Sequence, residues 1–505
     1  MIRTAMTENG MVKGIEAADP RITAFKGIPF AAPPVGENRW RAPQPCKNWE
    51  GVLEAYRFAP ISMQDTPGIG DDIYIREWHV DPDIAMSEDC LYLNIWTSAK
   101  HTDEKQPVLV WFFGGGLQWG YPAEMEFDGE RIARRGVIVV SVNYRINSFG
   151  FMTHPEITAE QPDAPANFGN LDQQAGLKWV IRNISAFGGD PKNITIAGQS
   201  AGGGSVMTQM TCPDNFGLFQ KAIVQSAMIR SPYKEPNFLV PRTLAESEKI
   251  GVKFFDFLGV KSLKEARQLE ALYVRDMYSK FMKSNGWVGT VIDGKFCIGD
   301  PILLYMQNKH AMVPVMSGNT SDEFLNSIKA GSEEEFEEKV KEIFGEHAEE
   351  FLKLPEARKR DGNNYAAVSG IECTVKSLFL LNEEYKNNCS GYYYCFDAEI
   401  PGWDNPGNFH SVDLWFFFET LAKCWRPFKG KHYDLARQMC NYWCNFIKNG
   451  DPNGKDADGT DLPRWDPYTK ESPCNMVFNM EGAQPTNNGE TEFKKFLIDR
   501  IKEEK

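Results

Sequence analysis

Apolar residues in the first half of the chain come in short unbroken runs rather than in alternation. "PVLVWFF" (107–113), "GVIVVSVNY" (136–144) and "NITIAG" (193–198) are each bounded by polar or glycine-rich segments. Strands buried on both faces read this way, because no position along them returns to water. Between the last two runs the period changes. In "NLDQQAGLKWVIRNISAFGG" (170–189), Leu171, Ala175, Leu177, Val180 and Ile181 trace a helical stripe, which Gly188-Gly189-Asp190-Pro191 stops. Strand, helix, strand predicts a parallel βαβ unit and an α/β fold.

The second half reads mainly as helix. "SEEEFEEKVKEIFGEHAEEFLKL" (332–354) carries Phe336, Val340, Ile343 and Phe344 on one face and a solvated acidic run on the other. Further helices are expected at 371–388 and 432–449. There is no internal repeat, low-complexity segment or linker, so the spacing predicts one domain, 1–505, with a helical insertion at approximately 325–400.

Composition narrows the partners. With 42% apolar and 12% aromatic residues the chain can bury a large core, and its net charge of −14 argues against nucleic acid or anionic membranes. The N-terminus has no apolar core of signal-peptide length, and no run approaches the roughly 20 apolar residues that span a bilayer. Eleven cysteines, an odd number without regular spacing, argue against a disulfide framework or a zinc cage. Cys440 and Cys444 lie one helical turn apart, but two thiols alone make a poor metal site, and both are read as core-facing. A cytoplasmic protein without metal or membrane attachment is expected.

The chemistry centres on "ITIAGQSAGGGSV" (194–206). A G-x-S-x-G string alone is weak. Its context is not: a nucleophilic serine must sit on a sharp turn between a strand and a helix, flanked by residues small enough for the turn to close. "NITIAG" supplies the strand and "AGGGSVMTQM" a helix start without bulky side chains.

A serine hydroxyl needs a base, and the base an orienting acid, in the chain order serine, acid, histidine. Four histidines follow Ser200. His347 lies in the acidic helix, His310 in the polar "MQNKHAM", and His432 in what reads as an exposed basic loop, "KGKHYD". His410, in "NPGNFHSVDLWFFFETL", has a Gly/Pro/Asn loop before it and a strongly apolar helix after it, as a catalytic loop residue on a rigid support should. The acid should follow a buried strand between Ser200 and His410. "MVPVMSGNTSDEF" (312–324) fits, and spacing leaves Asp322 and Glu323 as equal candidates. Developing negative charge on a carbonyl oxygen calls for backbone N–H donors. Ala201 supplies one, and Gly114-Gly115-Gly116, directly after a buried strand, a bare backbone for others.

These segments resemble the type B carboxylesterases, the α/β-hydrolase family that includes bacterial p-nitrobenzyl esterase-like enzymes and the cholinesterases. The likeness runs almost end to end, through "FKGIPFAAPPVGENRWRAPQP" (25–45), "SEDCLYLNIW" (87–96), "VSVNYRINSFGF" (140–151), "NFGNLDQQAGLKWVIRNISAFGGDPKNITIAGQSAGG" (167–203), "VIDGKF" (291–296), "GNTSDEF" (318–324) and "NFHSVDLWFFF" (408–418). The resemblance implies an α/β-hydrolase fold with a large, mostly parallel sheet. It implies Ser200 as nucleophile, His410 as base, Glu323 rather than Asp322 as acid, and Gly115, Gly116 and Ala201 as oxyanion donors, with no cofactor. It also implies a buried Arg145–Asp172 pair and a supporting role for Ser226.

Three positions depart from the family pattern. Phe113 precedes the glycines, where the family often has histidine or tyrosine. Ser62 takes the place of the cysteine that secreted members pair with the cysteine of "EDCLYL", so Cys90 is expected to be free, in keeping with a reducing compartment. Gln199 stands where cholinesterases carry a glutamate, which removes one negative charge from a choline site.

The expected activity is ester hydrolysis through an acyl-enzyme, on a small-molecule ester with a short acyl chain or an aromatic, feruloyl-type group. Leu117, Trp119, Trp78, Trp287 and Phe417 are the expected lining of an apolar pocket. A lipase would need an apolar lid, whereas the inserted helix is acidic. Non-catalytic adhesion members of the fold lose triad residues, and all three candidates are present here.

Overall fold

In the computed structural model, which describes residues 1–234 and 240–505, the apolar runs become the middle of an 11-stranded sheet. Its strands in chain order are β1 (Ile15–Glu16), β2 (Thr23–Pro29), β3 (Tyr92–Thr97), β4 (Gln106–Phe112), β5 (Ile138–Val142), β6 (Gly189–Gln199), β7 (Lys221–Gln225), β8 (Val315–Thr320), β9 (Gly391–Asp397), β10 (Asn475–Asn479) and β11 (Gly482–Thr486). They lie side by side as β11-β10-β9-β8-β7-β6-β4-β5-β3-β2-β1. From β10 to β5 every neighbouring pair is parallel, and antiparallel strands flank that block on both sides. All residues of β5 and β7 are buried, as continuous apolar runs require. Each such valine or isoleucine contributes about 1.5–3 kcal/mol relative to an exposed position.

The crossover helix predicted at 170–189 is α1 (Phe168–Asn183), which tightens into a 3₁₀ turn through Phe187 and stops at Gly188 with φ of 84°. The helix after the serine is α2 (Ala201–Thr211). The acidic helix is shorter than its pattern suggests. It forms α3 (Glu333–Phe344), capped by Ser332, and ends at Gly345, whose φ of 54° lies outside the right-handed α-helical range. A separate helix follows at Ala348–Leu352. α4 (Gly370–Glu384), α5 (Leu414–Phe417) and α6 (Gly430–Asn449) complete the helices that matter here, and both Cys440 and Cys444 are buried on α6.

The segment after β8 does leave the sheet. Leu325–Lys329, Arg360–Asp361 and Asn364–Ser369 form a small three-stranded sheet of their own, next to α3. The expected limit of 400 overshoots, however, because "GYYYCFD" is β9, deep in the large sheet between β8 and β10. Its aromatic residues read as strand only once neighbours on both sides are known. No helix among the described residues is long and apolar enough to cross a membrane.

The chain runs from β4 outward to β5, then back across β4 to β6. The strand order therefore reverses direction at β4, and ligands of open parallel sheets bind at the carboxyl ends of strands near such a switch point.

Candidate active site

β6 ends at Gln199, and Ser200 turns the chain with φ of 56° and ψ of −128°, a sparsely populated conformation for a residue with a side chain. The surroundings hold it there. Ser200 donates its backbone N–H to the Gln225 carbonyl at 2.9 Å, and its own carbonyl accepts from Gly204 at 2.9 Å. The glycines of the string earn their places sterically. A Cβ on Gly198 would lie 2.4 Å from the Gly202 backbone, and one on Gly202 only 2.1 Å from the Phe112 carbonyl. β4 therefore passes so close behind the turn that only glycine fits.

Register brings the other groups to the same edge. Phe112 pairs with Gly198, Gln225 with both Gln199 and Gly318, and Thr320 with Phe396, so the ends of β4, β6, β7, β8 and β9 form one ledge. Glu323 follows β8, with its side chain buried, and its Oε2 is in direct contact with His410 Nδ1. Its Oε1 accepts from the Ser226 hydroxyl at 2.6 Å and the Thr320 N–H at 2.7 Å. Asp322 points elsewhere. It accepts the Asn408 N–H at 2.7 Å and lies against Gly407, tying down the loop that carries His410. Of the two carboxylates that spacing left equal, Glu323 is the one in contact with His410. His410 Nε2 is met by the Gln199 amide nitrogen at 3.3 Å, a long contact that a better partner can displace.

The other histidines are placed differently. His310 is buried and stacks on Tyr305 with ring centroids 3.7 Å apart. His347 lies beside Glu346 and Glu350. His432 corrects the sequence reading: it is buried in the first turn of α6, where Nδ1 accepts the Lys429 N–H at 3.0 Å and Nε2 meets the Glu399 carbonyl at 2.9 Å. Its basic neighbours suggested a loop, but it serves as a helix-start partner.

Behind His410 lies a group the sequence reading missed. Asp413 is fully buried and accepts from the Tyr394 hydroxyl at 2.8 Å and the Gln225 amide at 3.2 Å. Burial, and then the nearby charge of Glu323, push its carboxyl up to about 6. Its spacing three residues after His410 was the only available signal. Arg145 and Asp172, both buried, form a bidentate pair at 2.8 and 2.7 Å, and the Arg145 backbone N–H adds a third bond at 3.0 Å. Ser62 touches the buried Cys90 thiol, and all eleven cysteines are free.

Gly115 and Gly116 continue from β4 with φ of 99° and 64°. A Cβ on Gly115 would lie 2.3 Å from the Trp119 carbonyl, so the loop closes only around glycine. Gly114, Gly115, Gly116, Ser200, Ala201 and His410 all border one cavity of about 610 Å³, a size suited to a small organic ligand. Trp78, Trp119 and Trp287 border it. Trp287 stands over Gly116 and meets Trp119 edge-on at 5.2 Å.

Two expected lining residues do not border it. Leu117, with φ of 60°, follows two left-handed glycines, and the reversal turns its side chain away to pack on the hydrophobic core. Phe417 is fully buried against Trp111, Phe418 and Trp443, because α5 is one turn long and presents Leu414 to the cavity instead. No group of three or more His, Cys, Asp or Glu among the described residues is arranged to hold a metal ion.

A parallel sheet with a serine on a strained strand-to-helix turn, glycine N–H groups beside it and a histidine–carboxylate pair facing it defines an α/β-hydrolase. The profile of the carboxylesterase family matches residues 2–496. Among curated relatives, the fumonisin B1 esterase of Sphingopyxis macrogoltabida is 34% identical over 88% of this chain and 82% of its own length. The para-nitrobenzyl esterase of Bacillus subtilis is 31% identical over 94% of both. A crystal structure of the Geobacillus stearothermophilus carboxylesterase covers 98% of this chain and 99% of its own, with a TM-score of 0.76 at 28% identity. The chain belongs to the carboxylesterase family and is a carboxylic ester hydrolase.

Proposed function

We propose that Ser200 is the nucleophile, His410 the general base and Glu323 the acid of this hydrolase. The observation that carries the assignment is the Glu323–His410 contact facing the cavity that Ser200 borders. Ser200 Oγ attacks the ester carbonyl as His410 Nε2 takes its proton, displacing the long Gln199 contact. Glu323 holds Nδ1 and stabilises the imidazolium, while Ser226 and Thr320 keep the carboxylate aimed. The oxyanion is received by the N–H groups of Gly115, Gly116 and Ala201. His410 then protonates the leaving alcohol, and water repeats the sequence on the acyl-enzyme.

The substrate class that the lining supports is esters with short acyl chains or an aromatic group, feruloyl-type esters among them. Three tryptophans and a cavity of about 610 Å³ favour compact, flat groups over long alkyl chains. Hydrolysis of p-nitrophenyl esters from acetate to palmitate, with methyl ferulate alongside, should peak at the short acyl chains or at ferulate. A maximum at palmitate would overturn this reading in favour of a lipase.

Replacing Glu323 by glutamine should lower kcat about 10³- to 10⁴-fold, the scale of losing the group that fixes the histidine tautomer. Asp322→Asn should stay within about tenfold, because an asparagine oxygen still accepts the Asn408 N–H. The reverse order of effects would reassign the acid. A reducing, cytoplasmic setting is the compartment we propose, supported by the buried free thiol of Cys90 lying against Ser62.

A further inference from the structure

Gln118 and Tyr278 do not border the cavity, yet both are buried and every polar atom of their side chains is engaged. Gln118 belongs to the loop that carries the glycines after β4. Its Nε2 donates to the Val288 carbonyl at 2.7 Å and to the Gly116 carbonyl at 3.2 Å. Its Oε1 accepts from the Tyr278 hydroxyl at 2.8 Å. Tyr278, on the helix Ala271–Asn285, accepts the Val288 N–H at 3.0 Å through the same hydroxyl oxygen. The three bonds among Gln118, Tyr278 and Val288 close a ring. The amide has one workable orientation, since turned over it would aim its oxygen at two carbonyls.

The ring starts from a fixed point. The Gln118 backbone N–H donates to the Gly115 carbonyl at 2.9 Å, and the Asn147 amide donates to the Gln118 carbonyl at 3.3 Å. What it reaches is less regular. Val288 lies in 286–290, a stretch without helix or strand between Ala271–Asn285 and the short strand Val291–Ile292. Trp287 precedes it, and its indole is 45% exposed. A Cβ on Gly116 would meet that indole at 3.1 Å, and Trp119 touches it edge-on. Such one-sided packing does not hold a half-exposed ring in one place on an irregular stretch. Arg242 Nη1 also donates to the Trp287 carbonyl, at 2.9 Å, but in a solvent-exposed position where water competes. Gln118 and Tyr278 instead give the next residue dry bonds to both its carbonyl and its N–H. A buried polar network that is fully satisfied rigidifies what it joins.

We propose that Gln118 and Tyr278 are positioning residues that set the substrate range of the site. Through Val288 they pin the Trp287 indole as a wall over Gly116, so that the part of the ester lying beside Gly116 must be short. The proposal rests on the ester-hydrolase reading of Ser200 and names what limits its selectivity. Breaking the ring frees the 286–290 stretch to carry the indole outward. A long chain then gains room that a short one does not need. Gln118 also braces Gly116, but a loss there is common to all esters and cancels in a ratio between them.

The test measures kcat/KM for p-nitrophenyl octanoate relative to the acetate, and for hexyl acetate relative to ethyl acetate, so that each half of the ester is probed. In at least one series Trp287→Ala should raise the long-to-short ratio by about tenfold or more, the scale on which pockets discriminate by added methylene groups. Tyr278→Phe and Gln118→Met keep side-chain size and remove ring bonds, and each should raise the same ratio in the same series. The decisive readout is coupling. With Trp287 already alanine, Tyr278→Phe should change the ratio by less than about twofold. A merely weakened fold would keep its effect whether or not the indole is there.

A ratio that Trp287→Ala leaves unchanged or lowers in both series overturns the proposal. So do ring variants that leave the ratio unchanged, or a Tyr278→Phe effect that persists in full without the indole. In each case Ser200-dependent hydrolysis keeps the esterase reading. Gln118→Met gives the same readouts should Tyr278→Phe fold poorly. If no ester is hydrolysed, the esterase reading fails, and backbone hydrogen exchange over 286–290 decides the pin: faster exchange in Tyr278→Phe supports it, and unchanged exchange overturns it.

Discussion

Alanine at position 200 should lower kcat on p-nitrophenyl acetate by about 10⁶-fold, to the level that oxyanion donors and binding sustain without a nucleophile. The loss is so large because the proposed triad acts as a unit, so that removing one member leaves the other two without a role in the attack. The variant should fold normally. Ser200 contributes its backbone, through bonds to Gln225 and Gly204, more than its side chain to the turn, and alanine keeps both bonds. The strain at φ of 56° remains about as it was. The measurement is single-turnover release of p-nitrophenolate beside a thermal melt. Residual activity above one part in a hundred with an unchanged melt would place the nucleophile elsewhere in the cavity.

Asp172→Asn should destabilise the fold by about 3–5 kcal/mol, the cost of stranding one partner of a buried ion pair. Asp172 takes three hydrogen bonds from Arg145, two from the guanidinium and one from the backbone. Asparagine can accept with only one oxygen, and the guanidinium already has an unpartnered Nη1. The backbone around the pair cannot relax: a Cβ on either Gly150 or Gly169 would come within 2.2 Å of the Arg145 carbonyl. Burial raises the Asp172 carboxyl despite its partner, so proton uptake at low pH weakens the pair where it is hardest to replace. Urea unfolding of the single variant and of Arg145→Met/Asp172→Leu separates the two ideas. The double variant should recover much of the loss, since replacing both charges removes the desolvation cost as well as the attraction. A single-variant loss below 1 kcal/mol would show that the pair is not buried in solution.

The parallel core was legible because Val110, Val140 and Ile196 sit in runs that never alternate. Ser200, His410 and the glycines after β4 stood out as candidates because each obeys a local rule, a turn between strand and helix or a loop before an apolar helix. Choosing Glu323 over Asp322 took family resemblance, since both follow the same strand and only the tertiary path of the Asn408 loop separates them. The pocket was hardest. Leu117 and Phe417 are apolar and follow site residues in the chain, but the local path turns both side chains into the core. Conversely Glu124, Glu126 and Asp413 look in sequence like surface acids. Their burial is fixed by α5 and its neighbours, hundreds of positions away for the first two.

The site spans five adjacent strand ends that the chain visits at very different times. Gln199 and His410 touch across 211 positions. On a ribosome moving at roughly 5–20 residues per second, that gap is about 10–40 s. Throughout that interval the emerging chain would carry the proposed nucleophile, Ser200, without its proposed base, and β6 and β7 await β8 and β9 to complete the sheet. The enzyme is thus made inert and becomes active last, at the docking of its C-terminal third. Recovery of turnover during refolding therefore times the final assembly step rather than the collapse of the core.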